Sequence, residues 1–97
     1  MPGIVLSRQA ERDLRQLGRG VALRRIRAAL LALASEEGDL DVTPLVGAEP
    51  WLRLRVGDYR VLYRPIGADE IDDRSLRWLV ARIVHRRDLQ RAASTLT

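Results

Sequence analysis

Hydrophobic residues recur along this chain with two periods, and the switches between them divide it into elements. Ile4-Val5-Leu6 is a short apolar run that predicts a strand. Ser7 is placed to cap a helix reaching Leu17, with Ala10, Leu14 and Leu17 on one stripe and Gly18 as its stop. A second helix is expected from about Val21 to Ala34. Its apolar stripe is Ala22, Ile26, Ala29, Leu30 and Leu33, while Arg24, Arg25 and Arg27 point mostly outward. Residues 38–50 hold two glycines and two prolines and read as a loop.

The period then changes from helical to strand-like. Residues 51–56 and 59–64 each alternate with period two, and Gly57-Asp58 between them is a glycine-first pair suited to a type II′ hairpin. That turn sets Val56 opposite Tyr59, Arg55 opposite Arg60 and Arg53 opposite Leu62. One face reads Leu52, Leu54, Val56, Tyr59, Val61, Tyr63, a core face. The other reads Trp51, Arg53, Arg55, Arg60, Leu62, Arg64. Like charges directly opposite one another are destabilising, so a face that sets Arg55 beside Arg60 calls for a polyanion or an acidic partner. Trp51 is read as a packing aromatic rather than a base-stacking one.

Gly67 to Asp73 is an acidic, solvated turn, and Leu76 to Val84 predicts a third long strand, apolar enough to be central. The tail from Arg86 to Leu96 is weakly helical, with Leu89, Ala93 and Leu96 available to dock on a core. The order predicts an α+β fold: an N-terminal strand, a helical hairpin packed on one face of a mostly antiparallel four-stranded sheet, and a short C-terminal helix. The opposite sheet face is left to the arginines. Arg82 and Arg86 share a parity and are expected to join Arg53, Arg55 and Arg60 in one concave site. One domain is expected over residues 1–97, because 97 residues supply one modest core and not two.

Composition narrows the function classes. The chain has no cysteine and a single histidine, His85, which leaves neither a thiolate nor a multi-histidine metal site. No apolar run reaches the length of a membrane span, and the N-terminal residues lack a signal-peptide layout, so a cytoplasmic protein is expected. All 17 basic residues are arginine, in part the mark of a GC-rich coding sequence, yet also a fork suited to phosphates. Their placement is more telling. Residues 1–50 carry seven arginines and seven acids, residues 51–64 four and one, residues 65–75 one and four, and residues 76–97 five and one. The net charge of +4 therefore lies on the hairpin and the last strand and tail, the footprint of a nucleic-acid-facing surface.

The segment Leu54-Arg-Val-Gly-Asp-Tyr-Arg-Val-Leu-Tyr63, followed about twenty residues later by Ile83-Val-His-Arg-Arg-Asp88, resembles the RelE/ParE superfamily of bacterial toxins. The preceding helical hairpin and the total length agree with it. The resemblance implies the toxin of a type II toxin–antitoxin pair with a cognate antitoxin as partner. RelE-like members are metal-independent endoribonucleases that cut mRNA in the ribosomal A site and need no cofactor. ParE-like members share the fold and poison DNA gyrase. A third reading is a non-catalytic module whose basic face only binds. By the same resemblance Arg53 and Arg55 fall where the RNases carry basic side chains on the second strand, Arg60 matches the arginine after the third-strand tyrosine, and His85 and Arg86 match the basic pair ending the fourth, with Arg87 alongside. One departure follows: Asp88-Leu89-Gln90 puts glutamine where many members have a catalytic tyrosine, and glutamine is no useful proton acceptor.

Attack of a ribose 2′-OH on its neighbouring phosphate needs a base, a proton donor for the 5′-oxygen, and cations for the transition state. Arg60 and Arg86 suit the last role through bidentate contacts. Arg53, Arg55, Arg64, Arg82 and Arg87 suit backbone positioning. His85 is the natural proton-transfer candidate, while strict alternation with Leu79, Ala81 and Ile83 turns it toward the core as a structural histidine; both readings stand at this level. Asp88 is read as a cap or ion-pair partner, and Arg24, Arg25 and Arg27 as a solvated helix face.

Overall fold

The computed structural model describes residues 3–96; Met1, Pro2 and Thr97 of the expected 1–97 domain lie outside the described residues. Five strands and three α-helices follow in the order β1 (Ile4–Leu6), α1 (Arg8–Gln16), α2 (Val21–Ser35), β2 (Asp41–Pro44), β3 (Leu52–Val56), β4 (Tyr59–Pro65), β5 (Trp78–His85) and α3 (Leu89–Ala93), with a 3₁₀ turn at Arg86–Asp88 before α3. The sheet order is β1-β5-β4-β3-β2, with β1 parallel to β5 and every other pair antiparallel. The expected mixed architecture is present with one correction: the sheet has five strands, not four. Asp41–Pro44, expected as loop, pairs with β3 as an edge strand. All four of its residues are exposed and it ends on proline, so it lacks both the buried face and the uninterrupted pattern that mark a strand in a sequence.

Local signals account for the helices. The Ser7 hydroxyl accepts the Ala10 N–H at 3.0 Å and donates to the Ala81 carbonyl at 2.8 Å, so one side chain caps α1 and ties it to β5. Gly18 follows α1 at φ +75°, the left-handed stop its position implies. Ile26, Leu30 and Leu33 of α2 are buried with Leu54, Val61, Tyr63, Val80 and Ile83 of the sheet, and Leu14, Leu17 and Ala29 pack on that cluster. Each such aliphatic side chain, once fully buried, contributes on the order of 2 kcal/mol.

The hairpin register is the one its turn chemistry requires, with Val56 on Tyr59, Arg55 on Arg60 and Arg53 on Leu62. Gly57 alone of the turn pair has positive φ, +59°, as a type II′ turn demands. The opposite face is not left wholly to arginine. Leu62 and Val84 are buried there with Ala92, and Leu45, Leu89 and Leu96 pack around them. Helix α3 thus covers the middle of the face and divides it. The docking residues are Leu89, Ala92 and Leu96 rather than Leu89, Ala93 and Leu96; Ala92 and Ala93 flank the same face one helical turn after Leu89, and it is Ala92 that meets Leu62 and Val84.

Candidate functional site: an arginine cluster at the hairpin tip

In-register pairing builds a row across four strands: Asp41 on β2, Arg55 on β3, Arg60 on β4 and Val84 on β5. The adjacent row is Thr43, Arg53, Leu62 and Arg82. Arg53, Arg55 and Arg60 therefore share one patch. The main chain brings in Arg86, whose N–H donates to the Asp58 carbonyl at 2.7 Å and so pins the end of β5 to the hairpin turn. Its guanidinium stands 3.6 Å from the Asp58 carboxylate, both side chains being mostly exposed. An exposed pair of this kind contributes little, and Arg86 can exchange it for a stronger anion. Arg60 donates through Nη1 to the carbonyls of Gly57 at 3.0 Å and Tyr59 at 2.9 Å, which fixes its fork at the tip. Burial pushes the Arg60 pKa below its ordinary value, and Arg55, Arg53 and Arg86 push it further down, while Asp41 opposes them. Positive charge that Asp41 offsets only in part is thus concentrated on this group.

The other expected positions fall elsewhere. Arg64, on the far side of α3, forms a bidentate pair with Glu70 at 2.8 Å to each carboxylate oxygen and lies 5.6 Å from the Trp51 ring centre. Trp51 is itself buried, a packing residue. Arg82 does not join the cluster as parity implied. Its side chain turns off the sheet edge to Asp13 of α1, with Nε donating at 3.0 Å. The chain leaves strand geometry at His85, so the parity shared by Arg82 and Arg86 is lost. Arg87 is exposed beside the cluster and forms no ion pair among the described residues.

His85 is half-buried and follows the parity of Tyr59, on the core side of the sheet. Its ring meets Tyr59 edge-on at 5.5 Å between centres. Nδ1 accepts the Arg87 N–H at 3.2 Å and so caps the 3₁₀ turn that carries Arg86. In this tautomer the proton sits on Nε2. His85→Asn is expected to keep the cap, since asparagine serves well at this position, and to change toxicity by no more than a few-fold. A loss of about 10²-fold or more, the scale of general acid–base catalysis, would instead assign the ring a proton-transfer role.

Sequence reasoning missed Asp13. It is the one buried charged side chain among the described residues. It accepts the Ile83 N–H at 2.8 Å, the Arg82 Nε at 3.0 Å and the Gln9 amide at 3.0 Å. Because β1 pairs only with residues 78–80, the edge of β5 beyond it needs another acceptor, and Asp13 supplies it. Beside it opens a cleft of about 410 Å³ between α1, β5 and α3, bordered by His85, Asp88 and Arg91. A carboxylate at i+3 from Ala10 and i−4 from Leu17, and so within the apolar stripe of α1, is the sequence signal for this role.

Residues 4–90 match the family described as ParE toxin of type II toxin–antitoxin system, parDE. The chain belongs to this toxin family. No curated protein matches the toxin's sequence. Among solved structures, the RelB–RelE antitoxin–toxin complex from Methanococcus jannaschii contains a similar chain, 18% identical with a TM-score of 0.62, over 90% of this toxin and 95% of that chain. A copper-bound mutant toxin from Helicobacter pylori is 15% identical with a TM-score of 0.64, over 92% and 99% of the two chains. The archaeal RelE–RelB complex from Pyrococcus horikoshii OT3 gives 23% identity and a TM-score of 0.55, over 86% and 92%. At these identities the likeness is one of fold. Among the toxin's described residues no helix is long and apolar enough to cross a membrane, and no three histidine, cysteine or carboxylate side chains are grouped to hold a metal ion.

Glu70 gives the toxin a local pH signature. The side-chain bonds from Arg64 lower its pKa most, then the Gly67 N–H, bringing it from an ordinary 4.5 to about 2. A depressed carboxylate pKa means that the pair's contribution is complete above about pH 4.5 and fades as the pH falls toward 2. Carboxyl-detected NMR is expected to place the Glu70 midpoint near 2, and Arg64→Ala to raise it while the remaining Gly67 N–H bond still holds it below the ordinary glutamate value.

Proposed function

We propose that this toxin is a metal-independent, ribosome-dependent mRNA endoribonuclease that arrests translation in the cytoplasm and is held in check by a cognate antitoxin. The observation that carries the reading is the Arg53, Arg55, Arg60 and Arg86 cluster, whose central member is crowded by the other three. A phosphate arriving there relieves that repulsion, and the extra charge of a pentacoordinate phosphorane relieves it further, which is the differential stabilisation catalysis requires. In the reaction the 2′-oxygen bonds to phosphorus as the 5′-oxygen leaves; the 2′-OH proton passes to solvent water, and the departing 5′-oxygen takes a proton from solvent water. Arg60 and Arg86 hold the non-bridging oxygens, Arg53 and Arg55 the flanking backbone, and His85 keeps the turn under Arg86 in place. For the antitoxin, the same surface fits an acidic segment laid across Arg53, Arg55 and Arg60. Two of the similar structures are antitoxin–toxin complexes, which supports such a partner.

One observation favours a second reading, a gyrase-directed toxin. Gln90, exposed on α3, stands in place of a proton-accepting tyrosine, and a gyrase poison needs a binding surface but no proton transfer. Primer extension on mRNA in a cell-free translation system, run beside supercoiling by purified gyrase, separates the two. Cut transcripts with unimpaired supercoiling are expected; intact transcripts with blocked supercoiling would replace the first reading by the second.

A further inference from the structure

Arg25 lies on α2, on the core side of the sheet, yet its guanidinium ends at the same hairpin tip as the arginine cluster. A Cβ on Gly57 would stand 2.8 Å from Nη1, 3.2 Å from Cζ and 3.3 Å from Nη2 of Arg25. The guanidinium therefore lies against the bare Cα of Gly57, a contact that the missing side chain permits. Arg60 approaches the same residue through its hydrogen bond to the Gly57 carbonyl at 3.0 Å, and Arg86 holds Asp58 through main chain and side chain. Arginines from α2, β4 and the 3₁₀ turn thus converge on a two-residue turn.

The tip does not neutralise them. Asp58, the carboxylate of the turn itself, pairs with Arg86, and Asp41 of β2, opposite Arg55, offsets the charge on Arg60 only in part. Arg25 has no carboxylate within ion-pair distance among the described residues. An exposed helical arginine ordinarily gains by spreading into water, and holding it folded against a turn costs side-chain entropy. The small cleft that Arg25 borders with Val21, Ala22, Val56, Asp58 and Tyr59 leaves the approach to the tip open.

We infer that Arg25 is a further phosphate contact, and that a single-stranded RNA backbone on the sheet face continues over Gly57-Asp58 to meet α2. This rests on the proposed RNA-binding role of the sheet face. Arg25 thereby lengthens the path by a contact the strands alone cannot provide, because α2 lies behind them.

Binding of a fluorescent 2′-O-methyl RNA 12-mer, which lacks the 2′-OH nucleophile, tests this when measured against salt concentration. The proteins are the wild-type toxin, Arg25→Ala, Arg25→Lys, Arg60→Ala and, as a control on α1, Arg12→Ala, each shown to be folded by thermal melting. Arg25→Ala is expected to weaken binding about 3- to 10-fold at low salt and to reduce the log–log salt slope by about 0.7, the value of one phosphate on a single strand. Arg25→Lys is expected to keep the slope, and Arg12→Ala to match the wild type. A wild-type slope in Arg25→Ala alongside a reduced slope in Arg60→Ala would overturn the Arg25 contact and leave the sheet-face reading standing. Unchanged slopes in both would overturn the two together.

Discussion

Asp13→Ala is expected to destabilise the toxin by about 2–4 kcal/mol, a fall of roughly 10–25 °C in melting temperature for a domain of this size. Three donors lose their acceptor at once. The Ile83 N–H has no strand beyond it, since β1 ends its pairing at Val80, and a buried N–H without a partner bears its full desolvation cost. Arg82 loses its counter-ion while its side chain is 24% exposed; partial access to water holds the estimate below that for a fully buried pair. Asp13→Asn retains an acceptor for Ile83 and is expected to cost about half as much. Thermal melting of the three proteins checks the claim, and a shift under about 5 °C for Asp13→Ala would show the edge of β5 to be satisfied by other means.

Arg60→Ala should reduce activity more than any other single substitution in the cluster. Cleavage of mRNA on translating ribosomes should fall about 10²- to 10³-fold, the scale seen when one preorganised donor to a developing oxyanion is removed, and growth arrest should disappear with it. The fold should persist. Arg60 is bonded to the carbonyls of Gly57 and Tyr59, which water can reach at the turn, so the cost in stability stays near 1 kcal/mol. Arg60→Lys should recover only part of the activity, because an ammonium supplies the charge without the planar fork. Equal cleavage by wild-type and Arg60→Ala toxins would remove Arg60 from the chemistry. If growth arrest persisted as well, the RNase reading would lose its main support.

The hairpin was legible from sequence because its two determinants are local. A glycine-first turn sets the register and period-two alternation sets the faces, so the opposition of Arg55 and Arg60 follows without further information. The helices were equally legible: Ser7, Gly18 and the apolar stripes act within a few residues of where they stand. The edge strand Asp41–Pro44 was not, because an exposed edge buries no face and leaves no alternation to read. Arg82 shows a different limit. Its parity with Arg86 is a true property of a continuous strand, but the strand ends at His85, and a carboxylate from α1 draws Arg82 to the far edge.

Signals along the chain suffice for the α+β architecture, the arginine face of the hairpin, the concentration of positive charge in the second half and the place of Gln90. Which arginines are free to act depends on how the elements pack. Arg64 is engaged by Glu70 and Arg82 by Asp13, α3 covers Leu62 between the two halves of the face, and Arg86 and Arg25 reach the hairpin tip from other elements. The difference is one of range. Turn and periodicity signals act between neighbours in the chain, whereas an ion pair between residues 13 and 82 depends on where two elements dock. That docking is set by the whole core.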